Sequence, residues 1–132
     1  MKQLLFILVL GLYSLNIYSQ TAIDAKIQEV YASKAQEFAS QNPDWLKIMN
    51  DFIQNRVKIT RVALDPLHDK YVKLSEVKLI NKYNPELQRD VAFDPVSFNP
   101  LKYDFVFSAK TPQVYRVDHT DYVIVIEPQS FK

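Results

Sequence analysis

The spacing of apolar residues changes character along the chain, and each change predicts a different element. Ile23, Ile27, Val30, Tyr31 and Phe38 recur at helical intervals, with Thr21 and Asp24 in a capping-box arrangement, so the pattern predicts one amphipathic helix over residues 21 to 41. Asn42 then caps a second helix. Pro43 suits its first position and Asp44 its positive end, and Trp45, Ile48, Met49, Phe52 and Ile53 form a stripe running to about Arg56. From Val57 the apolar residues become β-branched and aromatic and fall in short runs: "VKITRVAL", "YVKLSEV", "YDFVFS", "QVYRV" and "YVIVI". These read as strands.

The last two runs are separated by "DHTD", which is most simply the turn of a hairpin. In that register Val117 faces Tyr122 and Tyr115 faces Ile124, while Arg116 lies opposite Val123 and Val114 opposite Val125. A two-residue His119-Thr120 turn would force positive φ on a β-branched residue and set Asp118 against Asp121. A four-residue loop around a type I turn, with Asp118 bonding back to the chain, keeps the same pairing without either fault. The expected architecture is therefore α+β: two N-terminal helices packed on an antiparallel sheet of about four to five strands ending in a C-terminal β-hairpin.

Ahead of the first helix, Lys2 precedes the apolar run "LLFILVLGLY" and the segment "SLNIYSQ" follows. The apolar core spans residues 4 to 13, short of the roughly 20 that a membrane-crossing helix needs, and the order of charged, apolar and small residues is that of an export signal. Residues 1 to 19 are expected to be a signal peptide cleaved after Ser19, leaving residues 20 to 132 as a single small α+β domain. The expected location is the periplasm, the outer membrane or the cell exterior. No cysteine is present, so no lipid is attached through one, and any membrane association runs through a partner.

Without Lys2 the 16 basic residues become 15, against 15 acids, and the formal charge is zero. A balanced charge exerts no long-range pull on phosphate backbones, so nucleic acid is not an expected partner. The one glycine, Gly11, lies in the signal segment. Phosphate-cradling loops, dinucleotide fingerprints and the hydrolase serine elbow all need glycine, and none is present in standard form. Cysteine nucleophiles are excluded by composition. Five of the seven prolines follow Asn or Asp, at Asn42-Pro43, Asp65-Pro66, Asn84-Pro85, Asp94-Pro95 and Asn99-Pro100, a pairing that starts turns without positive φ.

Candidate chemistry is sparse. Asp118, His119 and Asp121, joined by His68 in "DPLHD", are a candidate divalent-metal set if they converge, but Asp and His are ordinary in exposed turns. Glu76, Asp90 and Asp94 are available carboxylates whose spacing selects no mechanism. Trp45 and Phe52 with nearby tyrosines are compatible with a small ligand pocket, though their helical spacing suits a core equally well. "YVIVI" is more informative, because both of its faces are apolar and such a strand is covered on both sides. Residues 81 to 101, with Tyr83, Leu87, Val91, Phe93, Phe98 and Leu101, are one candidate cover, and a partner protein is the other. The sequence thus favours an exported, non-enzymatic binding or accessory protein of the bacterial envelope, possessing no cofactor and suited to an outer-membrane or secretion-type assembly. Its expected interface is Tyr115, Tyr122, Val114, Val123, Val125, Phe93 and Phe98. The alternative is a small periplasmic metal- or ligand-binding protein or hydrolase using His68 and His119 with nearby acids.

Overall fold

The computed structural model describes residues 23–63 and 68–129, the His68 side chain excepted. The signal segment, Thr21 and the Asp65-Pro66 pair lie outside the described residues. What is described is an α+β fold. Three helices, α1 (Ala25–Tyr31), α2 (Lys34–Gln41) and α3 (Pro43–Asp51), precede strands β1 (Val57–Arg61), β2 (Val72–Lys73), β3 (Gln113–Arg116) and β4 (Tyr122–Ile126).

The long first helix is broken in two. Asp24, whose side chain accepts from the Lys26 amide, caps α1, and the chain turns at Ala32 with φ 49° and ψ −129°. A glycine-free segment thus takes positive φ on an alanine, at a cost of about 1 kcal/mol. On either side of the break Ile27, Val30 and Ala35 are all fully buried. The second helix begins as expected, with the Asn42 side chain accepting from Asp44 N and Pro43 following it. It ends in a π-helical turn, Phe52–Arg56, that carries the Arg56 guanidinium into the interior. There Arg56 Nε donates to the carbonyl of Glu127 and a terminal nitrogen to that of Phe107. A buried cation is tolerated because it satisfies carbonyls the sheet leaves over.

The sheet has the order β1-β4-β3-β2. It is mixed, not wholly antiparallel: β2 runs parallel to β3, with Val72 beside Tyr115. The hairpin pairs as its pattern requires, Val114 with Val125, Tyr115 with Ile124 and Arg116 with Val123, and β1 adds five antiparallel pairs on the other side of β4. Two expected strands shrink. "YVKLSEV" gives the two residues of β2 and then a 3-10 turn, Leu74–Glu76, while "YDFVFS" gives one bridge, Tyr103 to Leu79. In the latter, alternation of buried Tyr103 and Phe105 is retained, but no neighbouring edge is long enough to make a ladder.

One face of the sheet carries Tyr115, Ile124 and Ile126 into a single core with Ile27, Val30, Phe52, Leu87, Phe98 and Leu101. The 81–101 segment therefore covers the same face as the helices, not the second one. On the second face Val123 is buried outside that core, Val114 and Val125 are half-buried, and Lys58 and Thr60 are exposed.

Candidate functional site

The hairpin turn, the 3-10 turn at Leu74–Glu76 and residues 89–93 enclose a cleft of about 740 Å³. Its wall on the hairpin side is Val117, Asp118, His119 and Thr120. Thr120 N donates to the Val117 carbonyl at 3.2 Å, closing a turn, and His119 at its third position has φ 60°. Positive φ there marks a type II turn in place of the expected type I, and histidine fills the glycine's place. The Thr120 hydroxyl secures it, donating to Val117 O and accepting from Tyr122 N.

Of the candidate metal ligands the His68 side chain lies outside the described residues, and Asp118, His119 and Asp121 are held by different partners or exposed. Asp118 accepts from the amide and hydroxyl of Ser75, at 3.1 and 2.7 Å, which ties the hairpin to the 3-10 turn. Burial pulls its carboxyl up, but the Ser75 donors outweigh that and hold it below the ordinary value. Asp121 turns to Arg61 at 3.2 Å, and the His119 ring is exposed. Among the described residues no group of three or more His, Asp or Glu side chains is placed to hold a metal ion.

The opposite wall is built on Asp90. Its carboxylate accepts from Lys102 Nζ and from the Tyr103 hydroxyl, both at 2.9 Å. Burial, reinforced by that carboxylate, pushes the Tyr103 phenol up to about 12, so it stays a neutral donor. Arg89 lies with its guanidinium 5.7 Å from the centre of the Tyr103 ring and donates to the carbonyls of Leu74 and Val77. Both carboxylates of the cleft are thus engaged by donors, and Ser75 faces a carboxylate with no imidazole between them. What the cleft offers chemically is a fixed array of polar groups on an apolar floor, suited to binding.

Next to it, residues 94–98 form a turn centred on Pro95 and Val96. Asp94 accepts from Val96 N and Ser97 Oγ, and Phe98 N bonds Asp94 O. Phe93 packs on Phe98 and on Tyr122, at 5.2 and 5.3 Å between ring centres. The loop is anchored, yet Val91 is fully exposed and Val96 is 86% exposed. No protein-family model, curated protein or solved structure matches the chain. The arrangement speaks through its own residues.

Of the seven interface residues expected from sequence, Tyr115, Val123 and Phe98 are buried, while Tyr122, Val114, Val125 and Phe93 retain part of their surface. Glu76 bonds the Lys73 amide and Asp94 caps its own turn, leaving Asp90 as the carboxylate of that trio in the cleft. Val91, expected among the residues that cover the sheet, is instead fully exposed, and sequence reasoning missed Val96, Arg89 and Tyr103 as parts of the site. The Asp94-Pro95 pair held a usable signal, since the residue after Pro in such a turn is central and points outward.

Proposed function

We propose that this chain is an exported, non-enzymatic binding protein of the bacterial cell envelope, an accessory subunit that docks a partner protein through the 89–98 loop and the cleft beside it. The observation that carries the reading is the pair of exposed valines, Val91 and Val96, on a loop tied to the fold by Asp94, Phe93 and the Asp90 network. Apolar side chains held rigidly in water lose little entropy on binding, and their burial is worth about 1.5 to 3 kcal/mol each. Export is read from the charged, apolar and small-residue order of residues 2 to 19, and the balanced charge suits a partner met through apolar contact. Among the described residues no helix is long and apolar enough to cross a membrane, so in this reading the partner supplies any membrane attachment.

Affinity purification of the tagged chain from its native envelope in mild detergent, with mass spectrometry of what accompanies it, tests the reading. A stoichiometric envelope protein supports it. Recovery of the chain alone, under conditions that keep other envelope assemblies intact, overturns it.

A further inference from the structure

A second depression shares no residue with the cleft and has a different chemistry. Tyr31 at the end of α1, Phe38 in α2, Trp45 in α3 and Tyr83 in the following segment surround about 350 Å³ of space, with Gln41 and Asn42 on the rim. The break at Ala32 lets rings from α1 and α2 meet. Centroid separations run from 5.1 to 6.0 Å; Tyr31 and Tyr83 are stacked, and the other pairs meet edge to face. All four rings are half-buried, so each fixes its neighbours while part of it faces solvent.

Part of the polar rim of this cluster is already engaged, the Asn42 oxygen by Asp44 N and the Gln41 amide by Glu37. Among the described residues neither the Tyr31 nor the Tyr83 hydroxyl nor the Trp45 indole N–H has a hydrogen-bond partner, and none is a buried unsatisfied atom. The Asn42 carbonyl oxygen caps α3, which leaves its amide N–H groups available on the rim. Aromatic walls with a few hydrogen-bonding groups at their edge are the general form of a small-molecule site, and the volume lies near the lower end of the usual range of about 300 to 1,000 Å³.

We propose that this depression binds a neutral sugar ring. The apolar C–H face of a pyranose complements the half-buried aromatic walls, and its equatorial hydroxyls match the phenols, the indole N–H and the Asn42 amide. A cationic ligand fits less well, because the Lys82 ammonium already sits 5.4 Å from the Tyr83 ring centre and would repel it. A purely aliphatic ligand would leave the polar rim without partners on desolvation.

Trp45 is the chain's single tryptophan, so its emission reports this site alone. The purified chain is titrated with cellobiose, with N,N′-diacetylchitobiose and, as a cation control, with choline. The proposal expects saturable change with at least one disaccharide at about millimolar concentration. Tyr83→Leu, which keeps apolar volume but removes the ring, should weaken it about ten-fold. Asn42→Asp, which keeps the helix cap but loses the amide donors, should weaken it several-fold; melting curves confirm that both variants are folded. No saturable change with either sugar up to about 10 mM overturns the proposal, as does a response to choline in their place or a sugar response that both variants leave untouched.

Discussion

The C-terminal hairpin and the segment from Val77 to Phe107 are both rich in aromatic and branched residues, and both fill the same core, but they satisfy their backbones differently. β3 and β4 bond each other, and β4 also bonds β1, so their peptide groups are consumed by ladders. The longer segment has one bridge, flanked by bonds from Ile80 N to Lys102 O and from Asp104 N to Lys78 O. Elsewhere isolated turn bonds and side chains share this work, and the segment's side chains also tie it to its neighbours. Arg89 reaches the carbonyls of Leu74 and Val77, Asn84 reaches Glu29 O, and buried Asn99 donates to Lys26 O and Glu29 Oε1 while accepting from Leu101 N. Buried backbone groups must find partners. A strand finds them by pairing, and an irregular segment finds them in short turns and nearby side chains, while its own polar side chains serve carbonyls elsewhere in the domain.

The two regions should therefore fail by different substitutions. Ile124 is fully buried at the centre of the hairpin, and Ile124→Ala should cost about 3 to 4 kcal/mol in denaturant unfolding, through lost burial and the cavity left behind. In the irregular segment the most damaging single change should be polar: Asn99→Ala strips three hydrogen bonds at a buried position and should cost about 2 to 3 kcal/mol. If Asn99→Ala proved as mild as a surface substitution, the contrast between the regions would collapse.

The hairpin has its own weak point at His119. His119→Gly should raise stability by about 0.5 to 1 kcal/mol, because glycine takes φ 60° without steric cost. A loss would mean that the ring makes contacts that matter to the fold. The smallest effect joins the regions. Ser75→Ala removes the hydroxyl, the largest of the groups that lower the Asp118 carboxyl, and leaves the Ser75 amide in place, at a cost of about 0.5 kcal/mol. Because the folded value lies below 3.8, this contribution is present above that pH and lost as pH falls through the lowered value. Wild type and variant should thus differ at neutral pH and draw together in acid unfolding only as the pH falls below 3.8 through the lowered value.

These differences also explain what could be read in advance. The hairpin's period of two and its four-residue loop carry their own register, so its pairing was legible from fifteen residues. "YDFVFS" has the same alternation, but whether it pairs depends on an edge elsewhere, and the edge at Leu79 offers a single bridge. The parallel direction of β2 and the break at Ala32 have no local signature, since alanine and valine at those positions suit the regular alternatives equally well. At the candidate site, chemistry marked Asp118, His119 and Phe93 early, whereas exposure of Val91 and Val96 escaped notice because an apolar residue in a loop reads as core until the loop is placed.

If those two valines dock a partner, purifying two forms of the chain side by side should show it. The tagged wild type and a Val91→Asp/Val96→Asp double variant are purified side by side from the native envelope. Both positions are exposed and outside the core, so the variant should melt within a few degrees of wild type. The account predicts that a stoichiometric protein accompanies the wild type and that its recovery falls at least about ten-fold with the variant, the loss expected from burying charge in an apolar contact. Equal recovery of that protein with the folded double variant would contradict it.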